Sequence, residues 1–106
     1  MLEKIKTMIN FAIRARKYAL GESVISLGRS GKIKLALLAT NTSDASKKKY
    51  RDKINYYHIP YVEYGTKEEL ASLLNKQEIS LIGILDANLA REIKKLIKED
   101  ETNGLQ

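Results

Sequence analysis

Residues 31–50 read GKIKLALLATNTSDASKKKY. Leu35 to Ala39 is the most apolar run of the chain, and the spacing predicts a strand over Ile33 to Ala39. Its near-continuous apolar character, without alternation, implies burial on both sheet faces, as in three-layer α/β folds. Small hydroxyl and amide residues follow from Thr40 to Ser46, then Lys47, Lys48 and Lys49. Thr42 or Ser43 N-caps a helix reaching about Tyr57, with Tyr50, Ile54 and Tyr57 on its inner stripe. A buried strand, a polar loop and a basic helix start make a place suited to an anion.

Upstream, Ile5, Met8, Ile9, Ala12 and Ile13 recur at helical spacing, giving a helix from Glu3 to Lys17. Arg14, Arg16 and Lys17 close it, where cations offset the helix dipole. A short strand at Tyr18 to Leu20, a turn at Gly21 and a helix from Glu22 to Arg29 come next. Gly28 is the weak point of that helix, and Gly31 its C-cap. Downstream, Pro60 opens a strand over Tyr61 to Tyr64. Thr66 to Glu69 matches a capping box, starting a helix to about Asn75 with Leu70, Leu73 and Leu74 inward. Lys76 to Glu78 is a loop and Ser80 to Leu85 the fourth strand. Asp86 or Asn88 caps a last helix with Leu89, Ile93, Leu96 and Ile97 on its stripe. The alternation predicts an α/β fold, a three-layer α/β/α sandwich on a mixed four-stranded sheet with about five helices. One domain over residues 1–98 is expected, with 99–106 a frayed acidic and polar tail.

The chain has no cysteine, which excludes disulfides, zinc–thiolate sites and thiol nucleophiles. No segment reaches the roughly 18 apolar residues of a membrane span, so a soluble, cytoplasmic protein is expected. The net charge is +6, unevenly spread: residues 1–58 carry +9 and residues 59–106 carry −3. Such asymmetry points to a basic surface facing nucleic acid or anionic lipid, nucleic acid first, the alternative being that it serves solubility alone.

Catalysis finds little support. His58, the only histidine, sits at a helix-to-strand turn, where the structural role is the commoner one. Asp44 and Asp52 lie eight residues apart and do not form an acid/base dyad. No glycine-rich phosphate loop and no metal-ligand spacing occurs, so no cofactor and no metal are expected. Three lysines in the first turns of a helix oppose its dipole by about 0.3–1 kcal/mol each, which suits them to phosphate. The alternative is a solvated helix face. Thr40, Asn41, Thr42 and Ser43 offer donors to phosphate, ribose or base edges, or serve only as turn and cap. Ile79 either packs against an unstacked base or begins the strand, and the pattern favours the strand.

AIRARKYALGE, RSGKIKLALLA and KKKYRDKINYYHIPYVEYGTKEELASLL, in that order and spacing, resemble the ribosomal-protein L7Ae/L30e superfamily. The similarity is greatest to its small bacterial YlxQ-type members and spans about Phe11 to Ile93. The resemblance implies an α/β/α sandwich and RNA binding, in many relatives to kink-turns. It implies a site built from Gly21, Glu22 and Ser23, from Thr40 and Asn41, and from Glu78, Ile79 and Ser80. Stronger kink-turn binders carry an Asn-Glu pair after the first glycine, where this chain has Glu22-Ser23. The leading expectation is a non-catalytic RNA-binding protein for structured RNA, kink-turn-like or ribosomal, its oligomeric state left open with a monomer favoured. Arg29, Lys32, Lys47 and Lys48 would neutralise phosphate, and Lys34 would add to them or merely snorkel. The other reading is a protein-interaction module on the same fold that has lost kink-turn recognition.

Overall fold

The computed structural model describes residues 1–104, with Asn103 and Gly104 described by their backbone alone. In chain order the elements are α1 (Glu3–Arg14), β1 (Tyr18–Leu20), α2 (Glu22–Arg29), β2 (Leu35–Leu38), α3 (Asp44–Tyr56), β3 (Tyr61–Glu63), α4 (Lys67–Ser72), β4 (Leu81–Ile84) and α5 (Ala87–Gly104). The sheet order is β1-β4-β2-β3; β2 runs parallel to β3, and β4 runs antiparallel to both its neighbours. The sheet is mixed, as expected.

The apolar run of β2 is explained by its two faces. Leu35, Leu37 and Ala39 pack with Ile5 and Ile9 of α1, Leu70 of α4, and Ile93 and Ile97 of α5. Ala36 and Leu38 pack on the other side with Val24 and Ile25 of α2 and Ile54 of α3. Every residue of β2 is therefore covered, and Leu37 and Leu38 are 0% exposed. Three layers result, α1, α4 and α5 over one face and α2 and α3 over the other.

Local signals set the helix ends. The Ser43 hydroxyl accepts from the Ser46 N–H and starts α3. Thr66 and Glu69 complete both bonds of a capping box, at 3.1 and 2.9 Å. Asp86 accepts from the Leu89 N–H at 2.9 Å and caps α5. α1 stops at Arg14, short of the expected Lys17, because Arg16 turns left-handed (φ 58°) and the Lys17 N–H closes back on the Ala12 carbonyl. The same device ends α4 at Ser72, with Asn75 left-handed. Gly28, awkward for a helix, has a packing reason: a Cβ there would lie 2.2 Å from Ile59 Cδ1. That closeness seats α2 against the turn after α3.

Residues 99–104 continue α5, and the Tyr64 hydroxyl donates to Asp100 at 2.7 Å. The long inward stripe through Leu96 and Ile97 carries the helix on, and Asp100 ties its last turns to the residue after β3. Positions 105 and 106 lie outside the described residues. No helix among the described residues is long and apolar enough to cross a membrane.

Candidate nucleic-acid interface

Strand register decides which loops meet. Leu20 pairs with Ile82, and Leu38 with Leu81. β1 and β2 therefore finish at the sheet end where β4 begins. The Gly21 N–H donates to the Leu81 carbonyl at 3.0 Å, and the Ala39 N–H to the Ser80 carbonyl at 2.8 Å. Three segments singled out in the sequence, Gly21 to Ser23, Thr40-Asn41 and Glu78 to Ser80, thus converge on one end of the sheet.

Gly21 is the N-cap of α2, with φ 54° and ψ −128°, a conformation that penalises any Cβ. It offers no side-chain cap, and the Val24 N–H closes on the Gly21 carbonyl at 3.0 Å, which leaves the Glu22 and Ser23 N–H groups without a side-chain cap at the positive end of the helix dipole. Beside it opens a cavity of about 290 Å³. Leu20 and Gly21, the loop residues Lys76, Glu78, Ile79 and Ser80, Leu81, and Tyr50 from α3 line it. The Lys67 ammonium pairs with Glu78 at 3.5 Å, and the Ile79 N–H donates to the Lys67 carbonyl, so the loop is held to the start of α4. Ile79 itself is 6% exposed and packed in the core. It packs inward but lies two residues ahead of β4, which begins at Leu81, so it does not begin the strand.

Thr40 and Asn41 turn toward α4. The Thr40 N–H and hydroxyl both donate to the Gly65 carbonyl. Asn41 donates to Glu68 at 2.8 Å and accepts from the Lys67 N–H at 2.8 Å. That amide bond, first among the causes, holds the Glu68 carboxyl below its ordinary range. Thr42, expected to offer a hydroxyl, is 5% exposed, and its Oγ1 has no hydrogen-bond partner among the described residues.

The lysine run is engaged by carboxylates. Lys47 donates to the Thr40 carbonyl at 2.8 Å and pairs with Glu63 at 3.0 Å. Lys48 pairs with Asp52 at 2.8 Å, and Lys49 with Glu22 at 3.5 Å. Glu22 also meets Lys53 at 3.3 Å. Burial pushes the Glu22 carboxyl up, but Lys53 and then Lys49 outweigh it and hold it below the ordinary carboxylate range. Exposed pairs of this kind contribute about 0–1 kcal/mol. Lys47 is the least free of the three, its side chain only 17% exposed.

Arg29 and Lys32 are not brought to this end. α2 carries the chain about 10 Å along its axis, at 1.5 Å per residue, so they stand at the opposite end of the sheet. Tyr50 and Lys76 belong to the cavity and escaped the sequence reading. The clue for Tyr50 was its type: a tyrosine on an inner stripe keeps a polar tip that needs a wet edge.

An α/β/α sandwich whose polar loops gather with an open cavity at one sheet end is the class these features define. The model of the Ribosomal protein L7Ae/L30e/S12e/Gadd45 family matches residues 3–97, and the chain belongs to that family. A protein of Enterococcus faecium named RNA-binding protein YlxQ is 33% identical over 97 residues, 91% of this chain and 93% of that one. One of the same name from Bacillus subtilis is 32% identical over 91 residues, 85% and 91% of the two chains. A solved structure of a protein with unknown function from Bacillus halodurans superposes with a TM-score of 0.82 at 31% identity. It covers 92% of this chain and 99% of that one.

Proposed function

We propose that this chain is a non-catalytic RNA-binding protein, cytoplasmic and monomeric, that recognises structured RNA of the kink-turn or ribosomal kind. The observation that carries the reading is the convergence of the α2 N-terminus, the 76–80 loop and Tyr50 around one cavity. Names of the curated relatives support it. The backbone N–H groups that open α2 suit a phosphate. Glu22 and Glu78 are acceptors for base amino groups, and Ser23 and Ser80 are donors for phosphate or ribose. Lys48, Lys49 and Lys76 supply charge around the rim.

Filter binding across a salt series tests this, with a kink-turn RNA against a duplex of equal length. Affinity should fall steeply, by about 0.7–0.9 in log–log slope per phosphate contacted. The kinked RNA should bind more tightly. A flat slope contradicts phosphate contact, and equal binding of the two RNAs contradicts recognition of the kink.

A specific observation favours a second reading, a protein-interaction module: Asn41 and the lysine run already have partners within the chain. Size-exclusion chromatography with and without RNase separates the two. Co-elution of the same heavy partners after RNase supports the interaction module.

A further inference from the structure

The opposite end of the sheet carries its own arrangement. α3 closes in the way α1 does: His58 is left-handed (φ 55°) and the Ile59 N–H donates to the Ile54 carbonyl at 2.9 Å. This fixed ending presents two adjacent rings. Tyr57 is half-buried, with the Arg29 guanidinium 5.3 Å over its face. Tyr56 meets Tyr57 edge-on at 4.9 Å between centroids and is 77% exposed. Beside them is a cleft of about 370 Å³, lined by Arg29, Gly31, Lys34, Tyr57, His58 and Pro60 among others, with no carboxylate in its wall. Its size falls within the roughly 300–1,000 Å³ of ligand sites.

The charge here differs from that of the α3 lysines. Among the described residues no ion pair involves Arg29, Lys32 or Lys34, nor Arg14, Arg16 or Lys17 at the close of α1. Asp86, which follows β4 at this end, is occupied capping α5. Helix C-termini favour cations, which accounts for Arg14 and Arg29 without any ligand. The Lys34 ammonium also donates to the Gly31 carbonyl at 3.0 Å, but nothing of this kind accounts for Lys32, which lies beyond α2, or for a ring left as open as Tyr56.

We propose that the C-terminal ends of α2 and α3 form a second RNA site, for a single-stranded stretch, with one base stacked on Tyr56 and the flanking phosphates on Arg29, Lys32 and Lys34. Every base has a stacking face and every linkage a charge, so an exposed ring beside unpaired cations binds single strands with little sequence preference. The rigid turn at His58 holds the ring in place before binding. The site extends the RNA-binding reading above but stands on separate residues, and it is tested separately.

The probe is an RNA oligonucleotide of about six nucleotides carrying 5-iodouridine, mixed with the full chain. Photocrosslinks should map to the peptide holding Tyr56 and Tyr57. Anisotropy should show roughly tenfold weaker binding for Tyr56→Ala, and near-full binding for Tyr56→Phe, which keeps the ring. Arg29→Gln with Lys32→Gln should weaken binding and flatten its salt dependence. An unlabelled kink-turn RNA without overhangs should leave the oligonucleotide bound. Crosslinks confined to residues 76–81, full displacement by the kinked RNA, or unchanged binding by Tyr56→Ala would overturn the proposal. Crosslinking at Tyr56 by a chain that fails to bind kinked RNA would uphold this site and remove the reading of the other one.

Discussion

The two ends of the sheet differ in how they treat charge. Where β1 and β2 finish, basic side chains are dense and mostly paired: Lys47 and Arg51 with Glu63, Lys48 with Asp52, Lys49 and Lys53 with Glu22, Lys67 with Glu78. That end has shape, namely an uncapped α2 N-terminus, a cavity and a loop fastened to α4. At the opposite end the cations have no carboxylate partners among the described residues, and an aromatic ring stands in solvent. A run of lysines in sequence is therefore a poor guide to where the field is strong. What counts is which carboxylates the fold brings beside them.

The largest effect expected from breaking this contrast comes from Gly28→Val. The new side chain collides with Ile59 and pries α2 from the turn that positions Tyr57. Overpacking of this kind costs about 1–3 kcal/mol, read as a lower urea midpoint with an unchanged slope. It should also disturb the Arg29–Tyr57 stack and leave the Gly21 cavity intact.

Thr66→Ala follows. It removes the capping box of α4, to which Asn41 and the 76–80 loop are fastened. The expected loss is about 1 kcal/mol in urea unfolding, with faster amide exchange in residues 76–80 and no change around Tyr56.

Glu22→Gln sharpens the comparison from the other side. It frees Lys49 and Lys53 while changing stability by less than about 1 kcal/mol. RNA binding should tighten, and its salt slope should steepen by about one. An unchanged slope would mean that these lysines never meet the backbone.

The pH dependence of stability has two limbs. In acid, the N-terminal ammonium at 2.8 Å holds the Glu69 carboxyl below the ordinary 4.5, and Lys53 and Lys49 hold Glu22 down. A carboxyl depressed in the folded state adds stability that is fully present above 4.5 and is lost as pH falls through its lower folded value. In alkali, burial and then the Asp100 bond push the Tyr64 hydroxyl from 10.0 to about 12. Its contribution is present below pH 10.0 and lost as pH rises toward 12. Thermal melts of Tyr64→Phe should show a weaker alkaline fall and the same acid one.

Much of the frame was legible because it is local. The strand at Tyr18 to Leu20, the helix at Glu22 to Arg29 and the capping box at Thr66 stand where spacing and cap chemistry put them. The unbroken apolar run of β2 announced two covered faces. What was missed depends on distant partners. Glu63 neutralises Lys47 only because β3 lies alongside β2. Thr42 looks like any loop hydroxyl until the fold buries it, and Tyr50 like a core residue until Gly21 and the 76–80 loop close around its ring. The bond from Tyr64 to Asp100 likewise joins residues far apart in the chain. Two neighbouring tyrosines on one helix sit about 100° apart and cannot both face a core, so Tyr56 carried a readable signal of its own.

The most direct test of whether the cavity beside Gly21 reads the kink while the rim lysines supply charge is filter binding of a kink-turn RNA and an equal-length duplex across a salt series. It is run on the native chain, on Gly21→Val and on Lys76→Ala, each checked for folding by circular dichroism. The variants should lose preference for the kinked RNA and keep most of the salt slope, because Lys48 and Lys49 remain at the rim. If the native chain binds both RNAs equally, or if slope and preference vanish together in folded Gly21→Val, the assignment of kink recognition to the Gly21 cavity and of charge to the rim lysines is wrong.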